Sequence, residues 1–162
     1  MAGRLGASIR LAGTGDRDAV RDLLQEVRAA FGEPPAGDSL ERLLDDSLDG
    51  GPLEFFVARA DEDDLVVGLV SMACTATSQS TGLFAWLDDL DVRPSHRRRG
   101  IGSQLVAAAL RRATERGADE VRLAAAMGDA GIVALYRRAG FTSRGQALMT
   151  LPLDGPSPGG ER

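Results

Sequence analysis

The sequence predicts an α/β fold: a central mixed β-sheet flanked by about four helices, in a single domain. Three observations predict it. The chain opens with one short strand and two amphipathic helical stretches. Three strand-like runs then follow one another. The second half alternates strand, helix, strand, helix, strand. At 162 residues the chain is long enough to bury an ordinary core without staples.

Taken in order, Ile9–Leu11 reads as a strand. Thr14 is placed to cap a helix over Asp16–Ala30, whose Val20, Leu23, Leu24 and Val27 share one stripe. Gly32–Gly37, with Pro34 and Pro35, reads as a loop. Ser39–Leu48 repeats the helical pattern with Leu40, Leu43, Leu44 and Leu48 until Gly50-Gly51-Pro52 stops it. Leu53–Ala60, Leu65–Thr75 and Leu83–Val92 read as strands, the acidic Asp61–Asp64 forming a turn between the first two. A helix over Gly100–Arg116 ends at Gly117. Then come a strand at Glu120–Met127, a helix at Asp129–Ala139 and a last strand at Phe141–Leu151. The domain is expected to span residues 1–153, with the Gly- and Pro-rich 154–162 a loose tail.

Composition narrows the function classes. The 43% apolar and 27% charged fractions are those of a soluble globular protein, and no apolar run approaches the eighteen residues a membrane helix needs. The start, MAGRLGASIR, lacks the apolar stretch of a signal peptide. The single cysteine, Cys74, allows no disulfide framework, so the expected compartment is the cytoplasm. All nineteen basic residues are arginine and the chain has no lysine or asparagine, the bias of a GC-rich genome.

Against a net charge of -5, the stretch RPSHRRRGIGSQL (Arg93–Leu105) concentrates positive charge beside two glycines at the start of a helix. Helix N-termini carry unpaired amides and the positive end of the dipole, so they attract anions. Gly100 and Gly102 let an anion approach the backbone closely. This favours phosphate or pyrophosphate seated on residues 98–103. A dinucleotide fingerprint would need a third glycine where Leu105 stands, and a nucleotide-hydrolase phosphate loop would need a lysine. One histidine and one cysteine, far apart, cannot make a zinc site, so no metal is expected. Nucleic acid is not expected either, because the rest of the chain is acidic.

Arg97-Arg98-Arg99-Gly100-Ile101-Gly102 resembles the acyl-CoA pyrophosphate motif of the GNAT superfamily of N-acetyltransferases. Leu135-Tyr136-Arg137-Arg138-Ala139-Gly140-Phe141 resembles that family's LYxxxGF signature. The strand Trp86–Val92, followed by Arg93-Pro94, is similar to its fourth strand. The resemblance covers roughly residues 8–152 and implies a GNAT-like fold and acetyl-CoA as co-substrate.

By that resemblance, Leu90, Asp91 and Val92 carry the pantetheine arm. Arg97, Arg98, Arg99, Gly100, Ile101, Gly102 and Ser103 hold the pyrophosphate, arginine suiting phosphate through its forked donors. Tyr136, the sole tyrosine, would protonate the departing thiolate, being protonated at neutral pH. Asp129 stands where the family often has asparagine; it can cap a helix but cannot donate to the cofactor.

Asp88, Asp89 and Asp91 are the nearest bases for the attacking amine. Strict alternation puts Asp88 and Leu90 on one face and Asp89 and Asp91 on the other, unless a bulge intervenes. Several small-amine relatives carry Glu-Asp where Asp88-Asp89 stand, the first serving as base or amine-binding group, and the shorter aspartate implies a proton relay through water. Cys74 reads as a small core residue and His96 as a turn residue. Trp86 and Phe84 are candidates for an acceptor channel as well as for the core.

The resulting expectation is an N-acetyltransferase acting by direct attack on acetyl-CoA in a ternary complex. The acceptor is a small cationic amine or a protein amine, and the family's habit makes a homodimer a further expectation. The alternative is a non-catalytic acyl-CoA-binding or regulatory module. A relative acting on charged tRNA would need a basic face, which the acidity opposes.

Overall fold

The computed structural model describes residues 6–78 and 82–151. The elements are β1 (Ala7–Leu11), α1 (Arg17–Ala30), α2 (Asp38–Leu48), β2 (Leu53–Ala60), β3 (Val66–Thr77), β4 (Gly82–Val92), α3 (Ile101–Glu115), β5 (Ala118–Leu123) and α4 (Ala130–Arg138). They form one mixed sheet in the order β1-β2-β3-β4-β5. The first three pairings are antiparallel and β4 runs parallel to β5. The parallel pair needs a crossover, and α3 supplies it.

Both sheet faces are covered, so each strand sorts its residues between two cores. On β2, Phe55 and Val57 join Val20 and Leu23 of α1 and Leu40, Leu44 and Leu48 of α2. The alternate residues Phe56, Ala58 and Ala60 join Leu105, Val106 and Ala109 of α3 and Tyr136 of α4 on the opposite face. Burying each large apolar side chain contributes about 1.5–3 kcal/mol.

The structure departs from expectation at three places. Thr14 does not cap α1: Thr14–Asp16 is a short 3-10 turn, and α1 begins at Arg17. The polar role there falls to Asp16, 2% exposed, whose carboxylate accepts the Gly13 amide at 2.9 Å, Nη1 and Nη2 of Arg10 at 2.7 and 2.8 Å, and Arg59 at 2.9 Å. β5 ends at Leu123 rather than Met127, which is 67% exposed.

The expected strand at Phe141–Leu151 does not form among the described residues. Gly145 takes φ +67°, its amide bonding the Ser143 hydroxyl, and this bends the chain. Ala147, Leu148 and Met149 are consecutive rather than alternating, and Leu148, Met149 and Leu151 stay exposed. Arg144 ties the segment to Glu120 of β5 by a side chain at 2.9 Å, in place of a backbone ladder. The tail called at 154–162 lies outside the described residues.

Candidate functional site

The site is built where β4 parts from β5. Pairing between them runs from Leu83↔Ala118 to Leu87↔Leu123, whereas β4 continues against β3 as far as Val92↔Gly68. From Asp88 to Val92, then, the edge of β4 that faces β5 has no ladder partner among the described residues. An extended ligand can bond such an edge as an added strand would. Gly68 lies under this stretch. A Cβ there would stand 2.9 Å from the Asp91 carbonyl oxygen and 3.2 Å from Val92 and Leu105, so only glycine lets α3 and β4 approach.

Within the same stretch β4 carries one extra residue. Leu69 pairs with Asp91 but Ser71 with Asp88, two steps on β3 against three on β4. The bulge lifts Asp89 into the left-handed region at φ +48°. This corrects the alternation read from sequence: Asp88, not Asp89, takes the register position opposite Ser71, on the same side as Asp91 opposite Leu69. Asp88 Oδ1 accepts the Asp89 amide at 3.1 Å, and Asp89 Oδ2 accepts the Ser71 hydroxyl at 2.7 Å. Partial burial raises the Asp89 pKa and the adjacent charge of Asp88 raises it further, while the Ser71 bond works in the opposite direction.

β4 leads through Arg93 into the short turn Pro94–His96 and on to α3. Gly100 is the N-cap of α3 at φ +82°, with no side-chain cap, and Arg98 is also left-handed at φ +64°. The first-turn amides of Ile101, Gly102 and Ser103 therefore end the helix without a capping oxygen, in a backbone of mixed hand.

Two of the arginines have structural work here. Arg97 donates to the Val92 carbonyl at 2.7 Å and to Asp91 at 3.2 Å, bracing the end of β4. Arg99 donates to the Ser95 carbonyl at 2.9 Å. Arg98 has no side-chain hydrogen bond or ion pair among the described residues, and its side chain is exposed. Gly102 serves packing as well: a Cβ would meet Leu135 of α4 at 3.1 Å.

α4 supplies Tyr136. Asp129 caps this helix, its Oδ1 accepting the amides of Gly131 and Ile132 at 2.9 and 3.1 Å. The other end is a Schellman motif. Phe141 N–H reaches the Tyr136 carbonyl and Gly140 N–H the Arg137 carbonyl, both at 3.0 Å, with Gly140 at φ +100°. The motif brings Phe141 edge-on to the Tyr136 ring at 5.6 Å and 71°. Tyr136 is 9% exposed, and burial first, then the charge of Asp88, push its phenol above the ordinary value near 10.

A family model described as "Acetyltransferase (GNAT) family" matches residues 18–141, which contain all of these features. The chain belongs to the GNAT acetyltransferase family. Among curated relatives, mycothiol acetyltransferase of Clavibacter michiganensis subsp. michiganensis is 34% identical over 84% of this chain. The alignment takes in 55% of that relative, so the chain spans about half its length. Two solved structures share the fold. One is AAC(6')-Iy in complex with the bisubstrate analogue CoA-S-monomethyl-acetylneamine, with TM-score 0.75, 21% identity, and coverage of 90% of this chain and 97% of that one. The other is a transcriptional regulator from Bacillus halodurans C-125, with TM-score 0.76, 24% identity, and coverage of 89% and 98%.

In this GNAT chain the structure gathers Asp88, Asp89, Leu90, Asp91, Val92 and the Arg97–Ser103 turn around one strand end. Other residues weighed in the sequence have these partners. Phe84 lies under the Arg122 guanidinium, 4.0 Å from its ring centre, His96 bonds Ser95 within the turn, and Cys74 is a half-buried strand residue. Among the described residues no cluster of three or more His, Cys, Asp or Glu is placed to hold a metal, and no helix is long and apolar enough to cross a membrane. Sequence reasoning missed Ser71. Its signal was present, one hydroxyl inside the apolar run VVGLVSMAC, but its partner lies eighteen positions away.

Proposed function

We propose that the chain transfers an acetyl group from acetyl-CoA to a primary amine by direct attack in a ternary complex. The observation that carries this reading is the continuity of three features on one segment: an unpaired strand edge, an uncapped helix N-terminus and an acidic pair. The donor set fits acetyl-CoA. The amides of Ile101, Gly102 and Ser103, with Arg98, match a pyrophosphate in charge and donor type, and the free edge at Leu90–Val92 offers amide and carbonyl groups to the pantetheine. The thioester supplies an activated acetyl carbon and a good leaving group.

The residues divide the remaining work. Asp88 and Asp89 set a negative potential at the strand end that attracts a protonated amine. The bound ammonium must lose two protons: one of the aspartates, directly or through water, takes the first and so frees the lone pair that forms the C–N bond, and the second leaves the nitrogen as the adduct collapses and returns through water to the Tyr136 oxygen. Tyr136 donates its phenolic proton to the sulfur as the C–S bond breaks. Burial, which raises the phenol pKa, keeps that proton in place at neutral pH.

The mycothiol acetyltransferase relative and the CoA bisubstrate complex support acetyl transfer. The test is thiol release from acetyl-CoA across a panel of polyamines, aminoglycosides, amino acids and peptides, with calorimetric binding of acetyl-CoA alongside. Amine-dependent release is the expected result. Tight binding with no release from any amine would overturn the catalytic reading in favour of a binding module.

A further inference from the structure

We propose that Asp89, rather than Asp88, is the base at the acetyl-transfer site, and that the buried hydroxyl of Ser71 on β3 is the residue that positions it. The inference rests on the acetyl-transfer reading above and adds to it a division of labour between two adjacent carboxylates.

The hydrogen bonds distinguish the two aspartates. Asp88 Oδ1 folds back onto the next amide in the chain, at 3.1 Å, and so helps hold the bulge. Asp89 Oδ2 is held by Ser71 at 2.7 Å, while its Oδ1 accepts no donor among the described residues. One oxygen of Asp89 is thus fixed and the other is presented at the exposed strand end. The backbone at Asp89 is left-handed, φ +48°, a conformation that persists only where surrounding contacts enforce it and that concentrates at functional sites.

Ser71 has the properties of a positioning residue. It is fully buried, at 0% exposure, between Val70 and Met72, each of which is also 0% exposed. A hydroxyl in such a place is costly unless bonded, so it holds its single acceptor tightly. The register places it beside the bulge, where β4 has already left β5. A serine that merely satisfied its hydroxyl could bond a neighbouring carbonyl; this one reaches a carboxylate on an accessible strand end.

The electrostatics agree in direction. Burial and the charge of Asp88 raise the Asp89 pKa, which makes it a stronger base than a free aspartate, and the Ser71 bond moderates the rise. Among the described residues, Asp88 is the charge that acts on Asp89, and Tyr136 on α4 feels Asp88 in turn. Loss of the Ser71 donor therefore destabilises the ionised form of Asp89. Because the base must be ionised to act, the acid limb of the rate profile moves to higher pH.

The experiment compares the full chain with Ser71→Ala, Ser71→Thr, Asp89→Asn and Asp88→Asn. The Asp89 side-chain carboxyl is followed by 13C NMR against pH, the kcat/KM profile is measured with the amine the panel identifies, and acetyl-CoA binding is measured by calorimetry. Ser71→Ala is expected to raise the Asp89 midpoint, move the acid limb in the same direction and lower kcat about ten- to a hundredfold. Ser71→Thr, which keeps the hydroxyl, is expected to restore both, and acetyl-CoA affinity should change less than about twofold. Asp89→Asn should lose the acid limb and most of the rate, Asp88→Asn less.

An Asp89 carboxyl that titrates identically in the parent and Ser71→Ala overturns the positioning role. An active Asp89→Asn with its acid limb intact overturns Asp89 as base. Intact acetyl-CoA binding with no amine-dependent thiol release in the parent chain overturns the acetyl-transfer reading instead, and the NMR titration still decides the Ser71–Asp89 link.

Discussion

Replacing Gly100 gives a direct test of the anion cradle, because its conformational and steric costs separate cleanly. Gly100 sits at φ +82°, and an added Cβ would meet nothing closer than Gln104 Nε2 at 3.9 Å. Space is therefore not the issue and backbone preference is. Holding an L-alanine in the left-handed region costs about 1–2 kcal/mol. If the turn keeps its shape, Gly100→Ala loses that much stability, roughly 2–8 °C in Tm for a domain of this size. If the turn relaxes, the amides of Ile101–Ser103 swing away and acetyl-CoA binding weakens instead, by about 5- to 30-fold for the same free energy. Gly100→Asn is the control, since asparagine tolerates the left-handed region far better despite its larger side chain. Melting curves and acetyl-CoA calorimetry on both variants are the assay. Equal losses for alanine and asparagine, or none for either, would refute the claim that the left-handed backbone creates the site.

Four further outcomes follow from other contacts. Gly102→Ala should leave stability within about 0.5 kcal/mol of the parent: a helical alanine gains up to about 1 kcal/mol over glycine, while the flexible end of Leu135, 3.1 Å from the new Cβ, must give way, and melting measures the balance. Tyr136→Phe should cut turnover about a hundredfold with acetyl-CoA affinity nearly unchanged, and the parent should show no loss of rate attributable to the phenol up to pH 9, since burial raises its pKa. Phe141→Ala removes the ring that packs against Tyr136; a loss of about 3 kcal/mol is an upper bound for this half-buried residue, checked by denaturant unfolding. Asp16→Asn should destabilise by roughly 2–4 kcal/mol, reduced from the fully buried case because the Arg10 side chain is 47% exposed. The Asp16 carboxylate is held far below its ordinary range by Arg10, so its contribution is complete above about pH 4 and is lost as pH falls further. Acid unfolding of Asp16→Asn should accordingly be less steep than that of the parent.

The legible parts of the chain were those with local causes. The helix start at Arg97–Gly102 could be read because two glycines, clustered charge and the following apolar stripe all lie within a few residues. LYRRAGF could be read because a Schellman motif is local. Gly140 must adopt φ +100°, and the next residue then falls on the ring three before the cap. Helix bounds came within two residues for the same reason. The misreadings share the opposite cause. Thr14 looked like a cap because nothing nearby revealed that Asp16 is held by Arg10 and Arg59, the latter forty-three positions away. Phe141–Leu151 looked like a strand because propensity is local, whereas a strand exists only with a ladder partner. The alternation of Asp88–Asp91 failed because a bulge is a property of two strands, not one.

That last failure falls at the proposed acetyl-transfer site. The bulge, the end of β5 pairing and the buried Ser71 hydroxyl all meet at Asp88–Leu90, immediately before the turn that leads to the cradle. A regular β4 would have placed Asp89 opposite Ser71 in the ladder, with ordinary backbone and with Asp88 turned to the other face. The extra residue instead brings Asp88 into the ladder position and lifts Asp89 out of it, so two adjacent carboxylates differ in partner, backbone and freedom. Separating like groups in this way would let one act as the proposed base while the other holds the frame. The regular part of the fold places the segment proposed to hold the cofactor; the irregularity in β4 makes the acidic pair unequal.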